Sequence, residues 1–68
     1  MKHIGLDKFN KELEYAKGVI RAAKGDVQAA ELIYTDQVHQ NLRKLAEAVG
    51  VEVPSRSEVI QSGKIDVK

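Results

Sequence analysis

Cysteine and tryptophan are absent from this chain, proline occurs once, and the aromatic set is one phenylalanine and two tyrosines. Without cysteine there is no disulfide staple and no thiolate for a metal or a redox step, which fits a cytoplasmic setting. With Phe9, Tyr15 and Tyr34 as the only aromatic rings, a core must be assembled from Leu, Ile, Val and Ala. Those side chains bury less area each than rings do. No apolar run approaches the ~20 residues of a membrane span or has the length of a signal-peptide core, so no membrane association is expected. Charge of one sign is missing too: 11 Lys and Arg stand against 10 Asp and Glu, a formal net charge of +1. A chain so close to neutral has little long-range attraction for phosphate backbones or anionic lipids.

What remains is 68 residues, 43% hydrophobic and 31% charged, a balance that argues for a folded domain rather than a disordered tract. The length predicts a single small domain over residues 1–68. Burial contributes about 25 cal/mol per Å2. Ordering each residue costs roughly 1.5 kcal/mol, so an alanine-rich chain of this size should be marginal alone. Self-association into a homo-oligomer is the expected way to complete it.

The apolar residues Leu6, Phe9, Leu13, Ala16, Ile20 and Ala23 recur at intervals of three and four, the stripe of an amphipathic helix over 6–24. Gly5 or Asp7 suits its start, and Ile4 with Phe9 would form a hydrophobic staple. Within the good helix formers of "RAAKGDVQAA", Gly25 suits a left-handed residue closing one helix and Asp26 the N-cap of the next. The second helix is expected over 27–49, with Val27, Ala30, Tyr34, Val38, Leu42, Leu45 and Val49 on its stripe and Gly50 beyond its end. So short a connection predicts an antiparallel helical hairpin.

Beyond Gly50 the period changes. "VEV" (51–53) and "KIDVK" (64–68) alternate as short strands do, and Pro54 precedes "SRSE", a capping box with Ser55 as N-cap and Glu58 at N3. A short third helix is expected over 55–62. The fold class predicted is therefore mainly α: a helical hairpin plus a short third helix with short extended flanks, completed by self-association.

Both long helices carry a second apolar face. Tyr15, Gly18 and Ala22 lie off the stripe of the first, and Ala29, Leu32 and Ile33 off that of the second. A helix apolar on two sides packs on two sides. Either another subunit or the tail residues Val51, Val53, Ile65 and Val67 would cover them. The tail starts at Gly50, at the far end of a helix spanning some 35 Å, so the subunit contact is the preferred reading. These six residues are the candidate interface.

The segment "LAEAVGV", Leu45 to Val51, resembles the first helix and turn of helix-turn-helix repressors, with a small residue at the helix pair and a glycine at the turn. The resemblance implies a DNA-binding regulator built on 42–62, with Arg43, Lys44 and Arg56 as contacts. In those repressors the recognition helix follows directly, whereas here "EVP" intervenes before "SRSEVIQ". That helix carries one basic residue, fewer than base and phosphate contacts require.

No constellation for catalysis emerges. The polar run "TDQVHQN" reads as a solvated middle of the second helix. His39, one turn from Asp36 and Arg43 and two from Glu31, reads as a surface side chain there; two ligands on one helix make no metal site. "QSGK" lacks the spacing of a phosphate loop, and Ser55, Ser57 and Ser62 suit caps and turns. A pocket of about 300 Å3 or more would need a second subunit. The function expected is that of a small non-enzymatic protein, without cofactor, that self-associates and acts by binding another protein as a regulator, inhibitor or assembly factor.

Overall fold

The computed structural model describes residues 3–67, and side chains from residue 5 onward. Four helices follow one another: α1 (His3–Ala22), α2 (Val27–Ile33), α3 (Asp36–Val49) and α4 (Arg56–Ser62). No strand forms among the described residues. The segments 51–53 and 64–67, read as strands, are irregular; Lys68 lies outside the described residues. Each alternating run is too short to gain a ladder of its own; Val51, Val53 and Ile65 pack against the helices instead, while Val67 is exposed.

The turn at "KGDV" is as the residues demand. Lys24 and Gly25 are both left-handed (φ 54° and 82°), which turns the chain out of α1. Asp26 is extended and its carboxylate accepts from Gln28 N–H at 2.9 Å and Ala29 N–H at 3.3 Å, satisfying two donors that a helix start leaves free. α1 packs against α3, and the start of α1 meets the end of α3: a Cβ built on Gly5 would lie 3.6 Å from Val49 Cγ1. The long helices are therefore antiparallel. Phe9, Leu13, Ala16, Ile20 and Ala23 from α1 join Ala30, Tyr34, Leu42 and Ala46 in one buried cluster.

At its ends α1 departs from expectation. Gly5 and Asp7 lie inside the helix and cap nothing, and the helix closes at Ala22 instead of Lys24. The staple through Ile4 falls outside the described side chains. Leu6, assigned to the seam, is exposed. Gly5, four residues before Phe9, is the position that turns toward α3, and Leu6 sits one step round the helix.

The second helix is not continuous. It breaks at Tyr34 (φ −92°, ψ 77°), and Thr35 starts α3 as an N-cap whose Oγ1 accepts from Val38 N–H at 3.2 Å. The break turns α3 about its own axis. The residues fully buried are His39, Leu42 and Ala46, while Val38, Leu45 and Val49 of the expected stripe are half-buried beside them. "TDQVHQN" is thus not a solvated mid-section throughout: its histidine points inward.

The last third of the chain folds back along the hairpin. Gly50 (φ 76°) ends α3, its N–H and that of Val51 returning to carbonyls of the last turn. Residues 51–55 run extended, and Ser55 caps α4 by accepting from Glu58 N–H at 3.2 Å. α4 packs on α2, and Val59, Ile60 and Ile65 are buried in the common core. The expectation that a tail tethered at Gly50 could not travel that far fails for a physical reason. Broken at Tyr34, α3 spans only about 21 Å, and extended backbone covers roughly 3.3 Å per residue.

Candidate functional site: an exposed apolar strip and a buried Tyr34–His39 pair

The returning tail covers one side of the hairpin and leaves the proposed interface open. Leu32 is 79% exposed, Tyr15 58% and Ile33 40%, and Ala22 is exposed as well. Gly18 and Ala29 are half-buried, and Ala29 packs against the core. Tyr15, Gly18 and Ala22 share one strip of α1 by the spacing i, i+3, i+7; Ala29, Leu32 and Ile33 share one strip of α2. The tight turn at 23–26 joins the two helices that carry them. Exposed single apolar residues are ordinary, but a leucine and a tyrosine this open, in a chain with three aromatic rings, are costly to leave in water.

Gly18 adds to this. A glycine inside a helix costs about 1 kcal/mol against alanine. Among the described residues nothing requires it, because a Cβ there would meet only an Arg21 guanidinium nitrogen at 4.0 Å.

The residues of the helix-turn-helix resemblance are placed differently from one another. Arg43 lies on the surface of α3, pairing with Glu47 and donating through Nε to Gln40 Oε1 at 3.1 Å. Lys44 is exposed. Arg56 turns inward across the core's edge: Nε donates to the Tyr34 carbonyl at 2.9 Å and Nη2 to the Glu31 carbonyl at 3.0 Å. These are carbonyls that the end of α2 leaves unsatisfied, so Arg56 works as a remote C-cap.

Beneath that cap lies the pair that sequence reasoning missed. Tyr34 is 0% exposed and His39 4%, and the Tyr34 hydroxyl sits 3.0 Å from His39 Nδ1 with the rings edge to face. Burial raises the Tyr34 hydroxyl to a pKa of about 12, an effect Arg56 partly offsets. Burial likewise lowers His39 below the ordinary imidazole value, Arg43 and Arg56 pushing the same way and Asp36 opposing them. Both groups are therefore neutral near pH 7, as a shared hydrogen bond in a dry site requires. One signal was present in the sequence: Thr35-Asp36 is a good N-cap and first-turn pair in the middle of a supposed helix.

No protein-family model, curated protein or solved structure matches this chain.

An open groove of about 720 Å3 runs between the end of α3, residues 51–55 and α4. Its charged walls are largely self-paired, Arg43 with Glu47 and Lys64 with Asp66, and its acids Glu52 and Glu58 lie beside valines and Pro54. Among the described residues no group of three or more His, Asp or Glu side chains is arranged to hold a metal ion. No helix among them is long and apolar enough to cross a membrane.

Proposed function

We propose that this protein is a non-enzymatic helical interaction module that self-associates and acts by binding another protein, in the manner of a cytoplasmic regulator, inhibitor or assembly factor. The observation that carries the reading is the uncovered strip around the α1–α2 turn: Leu32, Tyr15 and Ile33 stay open although the tail passes along the same hairpin. Gly18, whose missing side chain meets only Arg21 among the described residues, lets a neighbouring helix approach closely, while Tyr15 and Leu32 contribute the apolar area.

The reading as a DNA-binding regulator has less support. Of its three contacts, Arg56 spends its guanidinium on the end of α2 and Arg43 is paired with Glu47, which leaves Lys44.

Sedimentation equilibrium tests the proposal. The parent chain should show a mass above that of one chain, and Leu32→Asp with Ile33→Lys should reduce it to one chain while the helical signal stays intact. A monomeric parent that binds no protein partner from its host would overturn it. Salt-dependent retention on duplex DNA would favour the alternative.

A further inference from the structure

The returning tail leaves a notch of about 260 Å3 against the later half of α1. Lys17, Ile20 and Arg21 form its helical wall, and the segment from Gly63 to Asp66 forms the other. The notch and the exposed strip lie on different flanks of α1. Seen down the helix, Tyr15 and Ala22 turn to one side of Gly18, and Lys17 and Arg21 turn to the other.

The tail wall is held by local contacts. Gly63 is left-handed (φ 74°) and ends α4. The Ser62 hydroxyl then clasps the next residue, donating to the Lys64 carbonyl at 3.1 Å and accepting from the Lys64 N–H at 3.4 Å. Ile65 is buried in the core directly after it. Lys64 is thereby brought from the far end of the chain to the same small space as Lys17 and Arg21.

Three cationic side chains share this space with one acid. Asp66 places its carboxylate 3.6 Å from Lys64 Nζ, and both partners are largely exposed, so that pair contributes little. Lys17 is half-buried, and among the described residues neither it nor Arg21 makes an ion pair. Glu14, one turn before Lys17, does not line the notch. The backbone N–H groups of Ile65 and Asp66 donate to no backbone acceptor among the described residues. An ammonium partly withdrawn from water beside two isoleucines, with no counter-ion, gains from an anion that binds it.

We infer that this notch binds a phosphate group, as the free ion or as a small phosphate monoester. Three cations and one carboxylate leave a surplus of two positive charges, and a phosphate monoester carries about −1.5 to −2 at neutral pH. A carboxylate would leave part of that surplus unmatched. The guanidinium fork suits two phosphate oxygens and the ammoniums are point donors for a third. The volume admits a phosphate with a short body, and lies below the roughly 300 Å3 of a typical pocket for a larger ligand. A nucleic acid is disfavoured, because Lys8 and Lys11 turn to the strip side of α1 and the cations do not continue as a track for successive phosphates. In this arrangement Asp66 competes with the phosphate for Lys64. No residue of the notch belongs to the strip, so the inference stands apart from the proposed interaction module.

The experiment is an NMR titration of the backbone amides of the full chain at neutral pH and constant ionic strength. Inorganic phosphate and glycerol phosphate are the probes, and acetate is the control. Both phosphates should saturate one site and shift Lys17, Arg21, Lys64 and Asp66, with acetate binding about tenfold more weakly. Lys17→Gln with Arg21→Gln should weaken phosphate binding by about tenfold or more. Asp66→Asn should strengthen it by about two- to fivefold. Lys8→Gln with Lys11→Gln removes the same charge from the other flank of α1 and should change binding less than about twofold. A preference for glycerol phosphate would assign the notch to a monoester and equal binding to the free ion, and either supports the inference. Shifts that never saturate would overturn it, as would an equal loss in the Lys8 and Lys11 variant or weaker binding by D66N. A single-stranded RNA that binds through Lys8 and Lys11 as well as Lys17, while neither phosphate probe binds, would overturn it too. Should the Lys17 and Arg21 variant not fold, Lys64→Gln in the irregular tail and Asp66→Asn, expected to act in opposite directions, decide.

Discussion

Arg56 caps Tyr34 from 22 positions further along the chain, its Nε donating to that carbonyl at 2.9 Å while Nη2 reaches Glu31. The fork of the guanidinium is what spans two carbonyls of one helix end. An ammonium on a lysine stem is a point donor and cannot hold both in the same geometry. Arg56→Met should therefore cost about 1.5–3 kcal/mol, the range for hydrogen bonds to a charged group. Arg56→Lys should recover less than half of that loss. Urea denaturation of the three proteins measures both differences, and a full recovery by lysine would refute the two-carbonyl role.

The turn between α1 and α2 makes a second prediction. Gly25 is left-handed at φ 82° with open space around its missing side chain, so conformation alone governs a substitution there. Gly25→Val should destabilise more than Asp26→Ala, because a β-branched residue resists positive φ. The aspartate's loss should cost about 0.5–2 kcal/mol through two capping bonds. Thermal melts in which Asp26→Ala is the worse variant would contradict this account of the turn.

Gly18 separates folding from association. Among the described residues of one chain a methyl group meets nothing closer than 4.0 Å, so Gly18→Ala should raise the stability of the monomer by up to about 1 kcal/mol through helix propensity. At a close helix contact between chains the same methyl should weaken the dimer. Dilution series of the denaturation midpoint read both effects, and a variant more stable at every concentration would show that Gly18 faces no partner.

Alkaline pH should act through Tyr34. Its folded pKa of about 12 lies above the ordinary 10.0, so its contribution is complete below pH 10 and is lost as pH rises from 10 toward 12. Two pH units correspond to roughly 2–3 kcal/mol. Tyr34→Phe should remove that alkaline loss. It should also cost about 1–3 kcal/mol at neutral pH, because His39 Nδ1 is left without its partner. Denaturation midpoints at pH 9, 10 and 11 compare the two proteins. Equal alkaline slopes would assign the loss to other groups.

The features legible in the sequence are those whose cause lies within about five residues. Asp26 and Ser55 cap because a short polar side chain reaches donors two and three residues on, whatever surrounds them. Gly25, Gly50 and Gly63 are all left-handed, and each follows a helical run. The stripe from Phe9 to Ala23 is buried because a period of three and four residues can face only one way on a helix. The hairpin follows from these local facts, and so do the two strips left off its seam.

What escaped the sequence is what distant residues decide. Thr35 is a good cap in the middle of a periodic run, and its local signal competes with a stripe that continues straight past it. The end of α2 becomes stable as an end because Arg56 satisfies its carbonyls, and Arg56 arrives there only after 51–55 have carried the chain back. Once the helix breaks, α3 turns about its axis, and a histidine in a polar heptapeptide enters the core beside Tyr34. Periodicity reports which faces are apolar. It does not report which polar side chain finds a partner in the interior, because that partner is chosen by the meeting of three elements and not by spacing along one.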